Sequence, residues 1–255
     1  MPSDQALIAS LRICYQPIVR LDDLRPAYVE VLTRAEAGDG TVGSAAVIHA
    51  MNGAERSMHL TMCIMRRALA EYKAFHFGRC GLAIAFNLPL DAMLHPQLMA
   101  QIEFIRAQSG LAAHNIRFEL TEQQPVRDLA AATAAITALR NARYGLALDD
   151  ITPETPNLRE LMAMPIRAVK LDRSVVISTA AGDHDFIRDT VARATTNGQM
   201  VIAEGIETKE LCDTMHRHGV THGQGFLFSH PLSAADLQDF LLARSDGTLE
   251  HAGLR

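Results

Sequence analysis

The sequence predicts one α/β domain, a (β/α)8 barrel of the TIM type, and three observations carry this prediction. Short runs rich in Val, Ile, Leu and Phe alternate with stretches in which apolar residues recur every three or four positions. Acidic residues stand at the carboxyl ends of several runs, and the active site of a β/α barrel lies on that face. The 255 residues, 48% of them hydrophobic, are enough for a single barrel with a large core.

The predicted strands begin with a pair that differs from the rest. These two runs are joined by the short polar link LDDLR, which favours a hairpin because a parallel pair needs a longer crossover. We therefore expect strand 1 to run antiparallel to the others, which read as buried parallel strands. In chain order the predicted strands cover about 12–19, 27–33, 82–87, 115–121, 144–149, 166–171, 200–204 and 224–228.

Helices are predicted between the later strands, and Ser233 is the expected N-cap of the last one. No Gly/Ser linker and no internal repeat divides the chain, so residues 1–255 are interpreted as a single domain. Its expected core covers about 12–244, followed by a flexible tail at 245–255. The predicted helices include 54–76, 96–109, 126–141, 184–197, 207–218 and 233–244.

Composition and charge exclude several functions. The formal net charge is −5 and Lys and Arg form no dense run, which argues against binding of long nucleic acid. No apolar run approaches the roughly 20 residues that span a bilayer, and the N-terminus has no signal-peptide pattern. The four cysteines form no C-x-x-C pair, so a zinc ribbon is excluded by spacing. We expect a cytoplasmic protein without a membrane partner.

The acidic residues at the strand ends predict chemistry that depends on metal ions. Converging carboxylates repel one another unless cations lie between them. Hard oxygen ligands of this kind suit Mg²⁺ or Mn²⁺. The residues in question are Glu30, Glu119, Asp149, Asp150, Asp172 and Glu204.

The motifs that contain these residues resemble the EAL-domain phosphodiesterases, which hydrolyse cyclic di-GMP. The resemblance extends from Tyr15 to Pro231, and the motifs follow the order of the family. Any one of them alone would carry little weight, whereas eight in order are specific. They are Y-Q-P-I-V at 15–19, E-V-L-T-R at 30–34, F-N-L at 86–88, E-L-T-E at 119–122, D-D at 149–150, K-L-D at 170–172, E-G-I-E-T at 204–208 and G-Q-G-F at 223–226.

The resemblance implies hydrolysis of cyclic di-GMP to linear pGpG by a water activated by two divalent cations, Mg²⁺ or Mn²⁺. It assigns the first ion to Glu30, Asn87, Glu119 and Asp149, with Asp149 bridging to a second ion that Asp150 and Glu204 complete. It also implies catalytic roles for Lys170, Glu204, Glu207 and Gln224, substrate contacts for Gln16, Arg34 and Asp172, and a loop anchor at Glu122.

The chain departs from the family pattern at two places. Val31 stands where the family has Ala, a change expected to affect packing alone because this side chain points away from Glu30. The segment 151–158 contains two prolines and lacks the glycines of the family's loop.

This second departure keeps two alternatives open. One is a catalytically weak or inactive module that binds cyclic di-GMP as an effector. The other is a scaffold that contacts a protein partner in trans. A homodimer is possible in each case.

Overall fold

Eight strands close into a barrel in the computed structural model, which describes residues 8, 10–37, 40–43, 53–121 and 128–245. The strand order is β1-β9-β8-β7-β6-β5-β4-β2-β3, and a further pairing of β1 with β2 closes the ring and leaves β3 outside it. The strands are β1 Leu11–Arg20, β2 Pro26–Ala37, β3 Gly40–Gly43, β4 Ala83–Pro89, β5 Ile116–Thr121, β6 Gly145–Ile151, β7 Ala168–Leu171, β8 Met200–Ala203 and β9 His222–Gly223.

The barrel confirms the predicted fold class and the orientation of the first strand. β1 pairs antiparallel with both β2 and β9, whereas the pairs from β2–β4 through β8–β9 are parallel. The hairpin between β1 and β2 turns within residues 21–25, where the Leu24 N–H donates to the carbonyl of Arg20. All strands except β1 and the outer β3 therefore end on the same face of the barrel.

The helices surround the barrel, and side chains cap the N-termini of several of them. The Ser233 hydroxyl accepts from the backbone N–H of Asp236 at 3.2 Å, which confirms the predicted cap of the last helix. The helices are α1 Ala54–Ala74, α2 Leu90–Met93, α3 Leu98–Ser109, α4 Leu129–Asn141, α5 Leu158–Ala163, α6 Arg173–Ala180, α7 Asp185–Thr196, α8 Lys209–Arg217 and α9 Ala234–Ser245. None of the described helices is long and apolar enough to cross a membrane.

The two largest of three apolar clusters among the described residues lie outside and inside the barrel. The larger lies between the outer faces of the strands and the helices, and includes Met58, Met62 and Met65 of α1. The smaller lies inside the barrel and consists mostly of short side chains. Its members are Ile18, Tyr28, Ala83, Ala85, Ala147, Ala168 and Ile202. Because strand residues alternate between the two faces, the next inward positions towards the carboxyl ends carry the polar side chains of the candidate site.

The prediction of a strand at 224–228 is wrong, since β9 contains only His222 and Gly223. The chain instead turns here, with the N–H groups of Phe228 and Ser229 donating to the carbonyl of Gly225. A Cβ at Gly225 would lie 2.1 Å from the Ile206 carbonyl oxygen, so glycine permits a close approach of two backbones. The expected tail at 245–255 lies, beyond Ser245, outside the described residues.

Candidate functional site

The carboxyl ends of the barrel strands bring one lysine into the middle of four carboxylates. Lys170 Nζ lies 3.3 Å from Glu30 Oε2, 2.9 Å from Glu119 Oε2, and 2.7 Å from both Asp149 Oδ1 and Glu204 Oε1. The four acids come from β2, β5, β6 and the end of β8, while the lysine comes from β7. Lys170 is 1% exposed and Glu119 is 0% exposed. The predicted convergence of these five residues is therefore what the fold produces.

Burial and mutual repulsion perturb the protonation of this cluster. Burial is the largest influence on Glu119 and, with the charges of Glu30 and Asp149, raises the pKa of its carboxyl to about 8 against the attraction of Lys170. Burial and the neighbouring carboxylates likewise raise the pKa of Glu204. Burial alone would lower the pKa of Lys170, but the four carboxylates outweigh it and raise that pKa. One ammonium group is therefore too little to keep all of these carboxyls ionised.

Two of the four carboxylates retain buried oxygens without a hydrogen bond. Asp149 Oδ1 and Glu204 Oε1 are buried and lie within ion-pair distance of Lys170, yet neither has a hydrogen bond of acceptable geometry in the described part of the chain. The ammonium group instead donates to Glu30 and Glu119. Both oxygens share that single ammonium group with two other carboxylates, so binding of a further cation would stabilise them. These oxygens consequently fit a metal site.

Asp150 joins the same group through an irregular strand. Consecutive residues of a regular strand point to opposite faces, which would separate Asp149 from Asp150. The pairing of β6 with β7 shifts register between Leu148 and Ile151, and Asp150 has φ +50°. Carboxylate oxygens of Asp149, Asp150 and Glu204 consequently lie within 4.8 Å of one another, and burial together with Asp149 raises the pKa of Asp150 to about 6. This trio could hold a divalent cation.

Amide side chains fix the carboxylate of Glu30. Gln224 Nε2 donates to Glu30 Oε2 at 2.8 Å, and Asn87 Nδ2 donates to Glu30 Oε1 at 3.0 Å. Gln224 Nε2 also donates to Gln16 Oε1 at 3.1 Å, and Gln16 Nε2 donates to the carbonyl of Ser229 at 3.2 Å. Although burial opposes it, Lys170 and these donors lower the pKa of Glu30. Glu30 is thus held ionised and oriented.

The other predicted site residues lie around this centre without a direct contact to it among the described interactions. Asp172 accepts from the backbone N–H of Ser174 and caps α6. Arg34 is half-buried and donates to the carbonyl of Thr33. Glu207 forms an ion pair with Arg173. Glu122 lies outside the described residues.

The loop at 151–158 is ordered by its own side chains. The Thr152 N–H donates to Thr155 Oγ1 at 2.8 Å, and the Thr155 N–H donates to the Thr152 carbonyl at 3.1 Å. The Glu154 N–H donates to Thr152 Oγ1 at 3.2 Å. Thr152, Thr155 and the intervening Pro153 therefore form a compact turn two residues after Asp150.

Sequence reasoning missed two residues that contact the site. Tyr28 is fully buried, and its hydroxyl donates to Glu119 Oε1 at 3.4 Å while the Arg117 guanidinium lies 4.4 Å from its ring centroid. A signal was present, since Tyr28 stands two residues before Glu30 and so faces the same side of β2. Arg173 is the second missed residue, and it directly follows the K-L-D motif.

Comparison with known proteins gives a family match and structural neighbours. A family model described as the EAL domain matches residues 4–231. The cyclic di-GMP phosphodiesterase NbdA of Pseudomonas aeruginosa is 28% identical over 237 residues, covering 91% of this chain and 30% of that protein. The cyclic di-GMP phosphodiesterase PA2567 of the same organism is 25% identical over 232 residues, covering 90% of this chain and 40% of that protein. The chain thus spans about a third of the length of these curated relatives.

The solved structures agree with the barrel. The EAL enzyme Bd1971 with cAMP and cyclic di-GMP bound has a TM-score of 0.84 at 25% identity, covering 93% of this chain and 66% of that one. The phosphodiesterase PaMucR in complex with cyclic di-GMP has a TM-score of 0.79 at 24% identity, covering 90% of this chain and 94% of that one.

Proposed function

Since this chain belongs to the EAL domain family, we propose that it is a metal-dependent phosphodiesterase that hydrolyses cyclic di-GMP to linear pGpG. The single observation that carries the proposal is the set of four carboxylates that share one ammonium group, that of Lys170. A site kept for another purpose would have little use for charges that repel one another at this cost.

The residues at the barrel mouth suit two divalent cations, Mg²⁺ or Mn²⁺. Such ions lower the pKa of a water molecule and neutralise charge on the phosphoryl oxygens. Oxygen ligands from carboxylates and an amide fit these cations. One ion would be held by Glu30, Asn87, Glu119 and Asp149, and the other by Asp149, Asp150 and Glu204.

Lys170 organises the site. Its ammonium group contacts four carboxylates that come from separate strands, so it fixes their relative positions before substrate arrives. From the same place it can donate a hydrogen bond to the attacking water or to a phosphate oxygen. Gln224 supports this arrangement because its amide orients Glu30.

The other predicted site residues are assigned supporting roles. We assign contacts with the dinucleotide to Gln16, Arg34 and Asp172, and support of the attacking water to Glu207. Glu122 is assigned as the anchor of the 151–158 loop. We further propose that residues 1–255 form a single domain, that the protein is cytoplasmic and that it can form a homodimer.

The second candidate is a module that binds cyclic di-GMP, or a protein partner, without efficient hydrolysis. The turn at 151–158 favours it, because the loop that follows Asp150 has been rebuilt with prolines and threonines. If this turn holds Asp150 away from the geometry that hydrolysis needs, the nucleotide will bind and remain intact.

Product analysis separates the two candidates. Purified protein is incubated with cyclic di-GMP and Mg²⁺ or Mn²⁺, and the nucleotides are separated by chromatography, beside Glu30→Gln and the exposed control Glu160→Ala. Linear pGpG from the wild type and from Glu160→Ala, but not from Glu30→Gln, would support the phosphodiesterase. Intact cyclic di-GMP together with binding heat in a calorimetric titration would support the binding module instead.

A further inference from the structure

The loop that follows β8 contains two of the proposed functional acids and lies against the start of α6. Glu204 begins this loop beside Lys170, and Glu207 lies three residues further on. Arg173, the first residue of α6, extends towards the loop, and its guanidinium Nη2 lies 3.0 Å from Glu207 Oε1. An arginine outside the predicted site thus has one of the site's carboxylates as its ion-pair partner.

The stem of Arg173 packs directly onto the loop backbone. Gly205 has φ +67°, and a Cβ there would lie 2.5 Å from Arg173 Cγ and 2.8 Å from its Cδ. Glycine is therefore required twice at this position, once by the left-handed backbone and once by the arginine stem. The ion pair alone is half-exposed and would contribute little, but the packed stem fixes where the guanidinium can lie.

The opposite side of the loop is held by backbone hydrogen bonds. The Ile206 N–H donates to the Gln224 carbonyl at 3.0 Å, and the Leu227 N–H donates to the Ile206 carbonyl at 3.0 Å. These bonds fix the middle of the loop, whereas the contact with Arg173 reaches the side chain of Glu207. The loop is therefore held on one side by the backbone around Gln224 and on the other by the side chain of Arg173.

We propose that Arg173 is a positioning residue for the hydrolysis, acting through Glu207 and Gly205 on the loop that carries Glu204. This inference rests on the proposed function. Reacting groups must be held within a fraction of an ångström of their productive positions. Substitution of residues that support metal ligands typically lowers metal affinity or activity by about 10- to 100-fold. Arg173 keeps the Glu207 carboxylate at the barrel mouth and limits the movement of Glu204.

A double-mutant cycle tests this assignment, using Arg173→Ala, Glu207→Ala and the double variant. We expect Arg173→Ala to lower kcat for cyclic di-GMP about tenfold, with KM changed less than about twofold. In the Glu207→Ala background the same substitution should change kcat less than about twofold, because the partner through which Arg173 acts is gone. Arg173→Lys, which keeps the charge and most of the stem, should recover part of the loss.

Mn²⁺ binding provides a readout that does not require turnover. It is measured from the electron paramagnetic resonance signal of the free ion. Arg173→Ala should weaken Mn²⁺ binding about tenfold, while Arg159→Ala, at an exposed position of α5, should leave it unchanged. Thermal unfolding should remain within a few degrees of the wild type in both variants, since both side chains are largely exposed.

The possible outcomes are distinct. A loss that appears in KM and persists in the Glu207→Ala background would overturn the proposal, because Arg173 would then contact the substrate itself. Unchanged kcat and unchanged Mn²⁺ binding would also overturn it. If the wild type releases no pGpG, the proposed function fails, and the Mn²⁺ titration alone decides whether Arg173 positions the loop.

Discussion

Replacing Lys170 with Met tests whether this side chain is the electrostatic centre of the site. The substitution keeps much of the volume but removes the ammonium group that lies 2.7–3.3 Å from four carboxylates. Removing one partner of a buried ion pair typically costs about 3–5 kcal/mol, since the remaining charge has no counter-ion. We expect the free energy of unfolding in EDTA to fall by about 4 kcal/mol at pH 7.5.

The loss should depend on pH with a definite sign. Burial and repulsion already raise the pKa of Glu119 to about 8, and the removal of Lys170 raises it further. A carboxyl whose pKa is raised in the folded state binds more protons there than in the unfolded chain. The folded state of Lys170→Met therefore loses stability as the pH rises from the unfolded pKa near 4.3 through the raised one. The measured loss should accordingly be smaller at pH 5.5 than at pH 7.5.

Urea unfolding followed by circular dichroism measures this effect at both pH values, with and without Mn²⁺. The matched control is Lys73→Met, which removes an exposed lysine of α1 and should change the free energy by less than about 0.5 kcal/mol. Mn²⁺ should restore more stability to Lys170→Met than to the wild type if the cation occupies the same carboxylates. A loss below about 1 kcal/mol in EDTA at both pH values would refute the reasoning.

Three further predictions concern other positions of the barrel and its loops. Burial lowers the pKa of His222 to about 4, so the unfolded imidazole takes up a proton before the folded one as the pH falls. The free energy of unfolding should therefore decrease by about 2 kcal/mol between pH 7 and pH 5. His222→Gln should remove this decrease in urea titrations at the two pH values. Thr155→Val removes the acceptor of the Thr152 N–H and should weaken Mn²⁺ binding about fivefold in paramagnetic titrations, equivalent to about 1 kcal/mol. Gly225→Ala would force a Cβ against the Ile206 carbonyl and should lower the free energy of unfolding by about 3 kcal/mol or more.

Each of these three has its own control. His114→Gln, at an exposed position, should leave the pH slope unchanged, and an equal effect of both histidine variants would contradict the first prediction. Thr155→Ser keeps the hydroxyl and should bind Mn²⁺ like the wild type. Gly78→Ala places its Cβ no closer than 3.4 Å to Tyr72 and should cost less than about 1 kcal/mol.

The convergence of the site could be predicted because it depends on two simple rules. Glu30, Glu119 and Asp149 each end a short apolar run, and carboxyl ends of parallel strands meet on one face of a barrel. Lys170 lies one strand further along the ring, and alternation along its strand points it inward. Those rules state which side chains share the barrel mouth, and the distances to Lys170 Nζ confirm them.

The parts that could not be predicted depend on local backbone geometry and on contacts between loops. A regular strand would point Asp150 outward, and only the register shift and the positive φ bring it to Glu204. The run at 224–228 is as apolar as a strand, but Gly225 turns the chain against Ile206. The contact of Arg173 with Glu207 joins the start of α6 to a loop that is distant in sequence, and hydrophobic periodicity does not predict such a contact.

The charge of the assembled site supports the proposal of two divalent cations over one. Ionisation of all five carboxylates, the four that contact Lys170 and that of Asp150, would leave a formal charge of −4 beside one ammonium group. One divalent cation would leave half of that charge uncompensated in a largely buried space, where repulsion between carboxylates is only weakly screened. Two such cations would neutralise it, and the further negative charge of a phosphate could then enter without net repulsion. Asp150 therefore contributes its charge as well as its oxygen ligands, because the register shift and the positive φ that bring it into the group add one negative charge for the second cation to balance.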